Sequence, residues 1–426
     1  MKKLKNFLLF TISSIFILSC TNEDQLQSNS NSLVGETQTL QKITGRKTTP
    51  VYSQNKLIIQ YYPGTPEATK IFLRTFYGAI DFKSCQQCND DSIELWTFGP
   101  GINIEPKKTA IEQGSGGGVE SIMDVDYEFS FAMDATYSAL GSYTDSNYIS
   151  YIKPANDGVT IAVFDTGISP TINNNNLSAF TTPFLYNASN DGNSLTQSGW
   201  DFVNSDANCN DDDLGQHGTV VSGIIHRILN NSQPAVPHQI LPIKVCDANG
   251  KASYFNLLCG TNFALSRASI IQMSLGWYND GFGDFGQTIL SNLITAHPEA
   301  IFITSAGNLG NNNDVLQHYP SGYPQSNVIA VAACNTNSQN IASFSNYGLT
   351  SVDFFARGQN LPFLGYPMDG TSFAAPIVAA VVARKKYNTP ESTPIDLLNH
   401  LILTGTPCPS SFDQTKKVQY DKVIQP

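Results

Sequence analysis

Charge is scarce in this sequence. Asp, Glu, Lys and Arg make up 14% of 426 residues, and 24 basic side chains face 35 acidic ones, for a net charge of −11. No basic patch is present to neutralise phosphates, which argues against nucleic acid as a partner. Long hydrophobic runs are also missing. The apolar stretch from Phe7 to Leu18 is too short for a stable transmembrane helix. Histidine is rare, at six, and no internal repeat is visible. What remains is an Asn-, Ser-, Thr- and Gly-rich polar composition that suits an exported protein. The length suggests two or three domains.

The N-terminus reads as a targeting segment. Lys2, Lys3 and Lys5 precede the apolar run, the layout of a signal peptide. The run ends in Ile17-Leu18-Ser19-Cys20, which resembles a bacterial lipobox with Ile17 in place of the usual leucine. That resemblance implies a signal peptide over 1–20 and lipidation of Cys20. The alternative is a plain secretory signal with an incidental cysteine. Glu23 and Asp24 resemble the acidic export tag of some surface lipoproteins. Residues 21–50 have almost no apolar pattern and read as a flexible tether.

Seven cysteines follow Cys20, and an exported protein can form disulfides. Cys85 and Cys88 form a CxxC without a second one, which argues against a zinc ribbon. Cys209, Cys246, Cys259, Cys334 and Cys408 are an odd set, so at least one stays reduced or pairs outside it. Cys246, Cys259 and Cys334 lie in apolar runs, where small buried thiols fit as well as bridges.

Structure starts near Val51. Strand-like runs at 56–61, 93–98 and 119–131 flank a helical pattern over 67–77, with Ile71, Phe72, Thr75 and Phe76 at helical spacing, and a short one over 107–112. This order predicts a compact α+β unit of ferredoxin-like type over 51–132. Beyond residue 133 short apolar runs recur at 159–164, 240–245, 270–275, 300–305, 328–333 and 352–355. Helical patterns at 218–230, 254–267, 284–297 and 371–387 lie between several of them. Near-continuous apolar strands are buried on both faces. The alternation predicts an α/β fold with a doubly wound, mostly parallel sheet over 133–426, with functional residues at the carboxyl ends of strands.

Four polar residues stand at such places. Asp165 ends the strand Val159–Phe164, where an aspartate can also merely turn the chain. His217 lies between glycines in Gly215-Gln216-His217-Gly218. Its ordinary pKa near 6.5 suits a general base, although a lone histidine is commonly structural. Asn308 follows the strand ending at Ser305, where its amide can donate to an oxyanion or shape a turn. Ser372 opens a small-residue helix after Gly370, either as an N-cap or as a nucleophile at a helix N-terminus. Together they supply an orienter, a base, an oxyanion donor and a nucleophile.

Four segments carry a family resemblance. Ala162-Val163-Phe164-Asp165-Thr166-Gly167-Ile168, His217-Gly218-Thr219-Val220-Val221-Ser222-Gly223, Ser305-Ala306-Gly307-Asn308 and Gly370-Thr371-Ser372-Phe373-Ala374-Ala375-Pro376 resemble the signatures of the subtilisin-like serine proteases, in the family's order Asp, His, Ser. The resemblance covers roughly 150–404. It implies a subtilisin-like fold, catalytic roles for Asp165, His217 and Ser372, and an oxyanion role for Asn308. Ser274, Leu275 and Gly276 look like the family's substrate-binding segment. Gly250, Lys251, Ala252 and Ser253 resemble the opposite edge of the cleft, where extended peptides add as a strand. Val220, Ser222, Gln272 and Phe373 depart from the family's usual histidine, alanine, asparagine and methionine.

The resemblance also gives the 51–132 unit the place of a propeptide, a folding template and intramolecular inhibitor, with self-cleavage expected between 130 and 145. Asp201, Asp206, Asp211, Asp212 and Asp213 crowd the loop before His217. They could hold a structural calcium ion or form a solvated acidic loop; their spacing is not that of an EF-hand. No cofactor is required for the chemistry. The expectation is a self-processing serine endopeptidase acting on polypeptides. It would be lipid-anchored at a bacterial outer membrane or cell surface, or else periplasmic or secreted. The rival readings are a catalytically weak or inactive binding protein with the same fold and another serine hydrolase; no Gly-x-Ser-x-Gly surrounds Ser372.

Overall fold

In the computed structural model, the described residues are 42–44, 50–85, 91–114, 121–133, 136–138, 157–172, 177–191, 198–279 and 287–426. The signal peptide with Cys20, nearly all of the expected tether, and Cys88 lie outside them.

Two sheets dominate. The first is built from β1 (Val51–Tyr61), β2 (Ala79–Ser84), β3 (Ile93–Phe98) and β4 (Ile122–Ala132), with helices α1 (Glu67–Tyr77) and α2 (Ile104–Glu112). All its pairings are antiparallel, in the order β4-β1-β3-β2. This is the arrangement of a ferredoxin-like unit. Helix α1 spans the predicted residues and ends where Gly78 adopts φ 75°. Its buried face differs from the expected one. Lys70, Leu73, Arg74 and Tyr77 are buried, while Ile71, Phe72 and Phe76 stay exposed. The cause is Glu94 on β3, which is buried and accepts hydrogen bonds from Tyr61 and Trp96 and an ion pair from Arg74. That carboxylate turns the Arg74 stem inward, and Asp91 does the same for Lys70, which meets its carboxylate at 2.7 Å. Helix α2 begins three residues earlier than expected, capped by Asn103. Strand β2 escapes sequence reading because it is a largely exposed edge without alternation.

The second sheet has nine strands. They include β5 (Val159–Asp165), β6 (Trp200–Asp201), β7 (His238–Lys244), β9 (Ile270–Met273), β10 (Ile301–Ser305), β11 (Val328–Cys334), β12 (Phe354–Arg357), β13 (Thr406–Pro407) and β14 (Lys422–Ile424). The order is β6-β7-β5-β9-β10-β11-β12-β14-β13, parallel except for β13. Helices α3 (His217–Asn230), α4 (Tyr254–Leu265), α5 (Thr288–Ala296), α6 (Thr371–Asn388) and α7 (Pro394–Thr404) complete this region. The apolar strands are buried along almost their whole length, as a sheet covered on both faces requires. From β5 the chain winds one way to β7, then crosses to β9 on the other side. Such a reversal opens a crevice at the carboxyl ends of the strands, and Asp165 ends β5 there.

The two sheets meet at one short strand. β8 (Lys251–Ser253) pairs antiparallel with β4, so the first sheet is extended by an edge of the second region. One side of the first sheet covers α1 and α2 with Leu57, Ile59, Tyr61 and Trp96. Ile58, Ile93, Leu95, Phe129 and Phe131 belong to the core of the second region.

Candidate active site

Asp165, His217, Asn308 and Ser372 converge at the N-terminus of α6. His217 Nδ1 lies 2.7 Å from Asp165 Oδ1, with both side chains buried. The same oxygen accepts from the Thr166 N–H at 2.8 Å. Thr166 Oγ1 in turn accepts from the Gly218 N–H at 3.0 Å, tying the aspartate turn to the first turn of α3. That approach demands glycine: a Cβ on Gly218 would stand 2.2 Å from the Gly167 carbonyl oxygen. With Nδ1 donating to the carboxylate, Nε2 is the basic nitrogen. The His217 ring packs 5.2 Å from the ring of Phe373, the neighbour of Ser372.

Burial lowers the pKa of His217. The charge and hydrogen bond of Asp165, with the charges of Asp213 and Asp211, outweigh that and leave it above the usual imidazole value. The imidazolium formed on accepting a proton is therefore stabilised, and the neutral base is present only above an elevated pH.

Ser372 is buried at the start of α6, and its hydroxyl donates to the Ser274 carbonyl at 3.3 Å. Ser274 Oγ donates to the Ser372 carbonyl at 2.7 Å and accepts from Gln272 Nε2 at 2.6 Å. Gln272, a departure from the family pattern, thus fastens the Ser274–Gly276 segment to the serine turn. On the other side, Asn308 Oδ1 accepts from Thr371 N at 2.8 Å and Thr371 Oγ1 at 2.9 Å. This fixes the amide with its NH₂ group as the end presented away from Thr371. Gly307 must be glycine: its φ is 99°, and a Cβ would meet Asn346 and the Tyr278 hydroxyl at 2.5 Å.

The two cleft edges named from sequence lie where peptide backbone can pair. Ser274, Leu275 and Gly276 follow β9, and Lys251 and Ala252 belong to β8. The β8 edge is occupied by this chain itself. Lys251, Ala252 and Ser253 pair with Ala132, Phe131 and Ser130, and Met133 N–H donates to the Gly250 carbonyl at 3.0 Å.

The acidic loop does not gather into a cation cage. Asp211 accepts from Thr219 N and Oγ1, Asp213 from the N–H groups of Gly215 and His217, and Asp206 from Asn208 N. Asp212 meets Lys244 Nζ at 2.6 Å. No group of three metal-ligating residues comes together among the described residues. The positive charge comes from Lys244, whose buried ammonium also donates to the Thr166 carbonyl at 2.5 Å. Burial lowers the lysine's pKa, and Asp212, Asp211 and Asp201 together raise it further, leaving the ammonium firmly charged. At this loop the described carboxylates thus take their hydrogen bonds and their counter-charge from the protein itself. Sequence reasoning missed Lys244. Its signal was a lysine closing the otherwise apolar run Ile240-Leu241-Pro242-Ile243.

Sequence reasoning also missed Asp126 and Glu128 on β4. Asp126 accepts from Thr288 N, Thr288 Oγ1 and Ile289 N, capping α5, where Gln287 supplies no side-chain cap. Glu128 accepts from Phe255 N at 2.9 Å at the start of α4. Carboxylates at helix N-termini are stabilised by the exposed N–H groups and the dipole. Their signal was the acidic alternation Asp124, Asp126, Glu128 within a strand-like run.

Known proteins resemble this arrangement. The family model described as "Peptidase_S8: Subtilase family" matches residues 156–421. The chain is 36% identical over 197 residues to minor extracellular protease Epr of Bacillus subtilis (strain 168), covering 44% of this chain and 28% of that protein. It is 32% identical over 259 residues to the thermophilic serine proteinase of Bacillus sp. (strain AK1), covering 58% and 56%. It therefore spans little more than a quarter and a half of the lengths of these two relatives. Among solved structures, a cold adapted subtilisin-like serine proteinase is 25% identical with a TM-score of 0.47, covering 66% of this chain and 94% of that one. The family model spans more than half of the sequence and takes in all four segments around Asp165, His217, Asn308 and Ser372, so the chain belongs to the subtilase family of serine peptidases.

Proposed function

We propose that this protein is an exported serine endopeptidase that hydrolyses polypeptides through an acyl-enzyme. The observation that carries the reading is the buried 2.7 Å Asp165–His217 pair beside the Ser372 turn. Ser372 Oγ attacks the peptide carbonyl carbon while His217 Nε2 takes its proton. Asp165 holds the tautomer and stabilises the imidazolium. The carbonyl oxygen becomes an oxyanion that accepts from the Asn308 amide; loss of such a donor costs about 10²–10³ in turnover. Collapse breaks the C–N bond, His217 gives its proton to the leaving amine, and an ester remains on Ser372. Water then attacks the ester by the same steps in reverse. Extended substrates pair with Gly250–Ala252 and with Ser274–Gly276. No cofactor enters any step.

The 51–132 unit acts as propeptide and intramolecular inhibitor, which the pairing of β4 with the cleft edge supports. Cleavage falls between 130 and 145, next to the cleft-edge contact at Met133. Export is supported by the signal-like N-terminus and by a relative named as extracellular. Cys20 would anchor the protein to lipid at the outer membrane or cell surface. No helix among the described residues is long and apolar enough to cross a membrane.

Fluorophosphonate labelling of the processed protein tests the chemistry. Labelling at Ser372 with hydrolysis of a denatured protein substrate is expected, and both should vanish in Ser372→Ala. Processed protein that takes no label would instead be a binding module on the subtilase fold. Mass spectrometry of Ser372→Ala should find the uncut chain; an identical cut in that variant would sink self-processing.

A further inference from the structure

The two halves of the structure are joined by a covalent bond as well as by the β4–β8 pairing. Cys85, at the end of β2, is bonded to Cys259 in the middle of α4, across 174 residues of sequence. Both cysteines are buried. Strand β2 is the far edge of the first sheet and β4 is the near edge. Helix α4 runs beneath, with its N-terminus held by Glu128 of β4 and its middle held by Cys85. Lys83 of β2 lies 5.8 Å over the ring of Phe255, in the first turn of α4. The first sheet is thus fastened at opposite edges, once by backbone pairing and once by sulfur. The expected cut between 130 and 145 severs the peptide chain between the two parts and leaves both fastenings in place.

We propose that the N-terminal unit is a covalently retained subunit of the processed enzyme, held on the peptidase region by Cys85–Cys259 and released only when a dithiol reductant opens that bond. The proposal rests on the processing reading above for the cut itself. After the cut, re-docking of the unit is intramolecular. A flexible link of this kind gives an effective concentration of about millimolar, so an interface with any tighter dissociation constant keeps β4 on the cleft edge. Export to an oxidising compartment preserves the bond. Release balances as ordinary exchange. A reductant thiolate attacks one cysteine sulfur, and the other leaves as a thiolate. The reductant's second thiol then closes its own disulfide, passing two electrons to the protein. Until then, whatever holds the N-terminus also holds the peptidase.

The test begins with wild-type protein produced in an oxidising compartment, with its thiols blocked. Peptide mapping of the denatured, unreduced chain should recover Cys85 linked to Cys259, whether or not processing has occurred. A map showing Cys259 reduced, or linked to Cys88, overturns the proposal. On processed protein, denaturing electrophoresis should show one species without reductant and two with dithiothreitol. Two species without reductant overturn it. Dithiothreitol should raise hydrolysis of a small peptide substrate in the wild type. In Cys85→Ser the chains should separate without it, and activity should ignore it. Cys259→Ala repeats this result from the other side if Cys85→Ser folds poorly. Activity in the wild type that ignores the reductant refutes the retained inhibitor. Absence of any cut, with the cross-link present, counts against processing alone.

Discussion

The buried charges of the catalytic region and those of the docking surface are handled differently. Around His217 each buried charge faces an opposite one or a rigid set of donors. Asp165 meets the imidazole, and Lys244 meets Asp212 and the Thr166 carbonyl. At the docking surface Asp126 and Glu128 face helix N-termini, with no cation as direct partner among their described contacts. Burial, the largest influence, raises Asp126 to about 6 and Glu128 to about 7, against the smaller pull of their hydrogen bonds. A network of opposite charges suits a part that must never open. Carboxylates held by helix ends and hydroxyls, with lysines acting only from a distance, suit a contact whose strength depends on pH. The signs follow from linkage. A pKa raised on docking means that docking is strongest below the undocked carboxylate range and weakens as pH rises through about 6 and 7. The raised pKa of His217 leaves the base neutral only above its own elevated value. On the processing proposed above, release and catalysis are therefore favoured in the same direction of pH.

Asp165→Asn should make the largest difference. It removes the charge that overcomes burial at His217, so kcat should fall about 10³–10⁴-fold with KM little changed. The acid limb of kcat/KM should move to lower pH, since only burial and the more distant Asp211 and Asp213 would remain. An acid limb that stays in place would break the assignment of the charged pair to the base.

Lys244→Met should come next. It strips the cation from Asp212 and from the buried Asp211, and leaves the Thr166 carbonyl without its donor. Breaking a buried pair costs about 3–5 kcal/mol; the lower end applies because Asp212 is half-exposed. Urea denaturation in the Ser372→Ala background, which prevents self-digestion, reads this directly. Lys244→Arg should recover part of the loss. A methionine variant as stable as its parent would remove Lys244 from the network. The calcium expectation is tested alongside, since EDTA should then shift the unfolding midpoint far less than Lys244→Met does.

The docking carboxylates should follow at about 1–2 kcal/mol each when truncated, the usual cost of losing a helix cap. In processed Cys85→Ser protein, Asp126→Ala or Glu128→Ala should speed dissociation of the N-terminal chain roughly tenfold. Asp126→Asn with Glu128→Gln keeps acceptors but cannot ionise, so dissociation should lose its dependence on pH between about 5 and 8. A persistent pH dependence in that double variant would move the titrating group elsewhere.

What could be read from the sequence follows the same division. Strands β5, β7, β10 and β11 announce themselves as continuous apolar runs, because a parallel sheet covered on both faces leaves no polar side. The four polar residues at the active site stand at or just after strand ends and at two helix starts, where local chemistry marks them. Contacts between distant segments left weaker traces. Lys244 is one charge in an apolar strand, and its meaning depends on a loop more than thirty residues away. Cys259 sits in an apolar run and looks like any buried thiol until the fold brings Cys85 beside it. The face of α1 was misjudged because Glu94, on another strand, turns Arg74 inward while Phe72 and Phe76 stay in water.

Lys83→Ala should give the smallest effect and the sharpest control. Its ammonium lies 5.8 Å from the Phe255 ring on the surface of contact, in the range where a cation–π interaction is worth about 0.5–1 kcal/mol. The substitution leaves the side chains of Asp126, Glu128 and Cys85 in place, and removes a charge that lowers the pKa of Glu128. It should therefore speed dissociation in processed Cys85→Ser protein only two- to fivefold or so, move the step owed to Glu128 slightly up in pH, and change nothing in wild-type protein while the disulfide is intact. If Lys83→Ala weakens docking as much as loss of a cap does, then the charged stem on β2 holds the unit in place of the helix caps. The contrast between a paired catalytic region and docking carboxylates without a directly bonded cation would then need to be redrawn around Lys83.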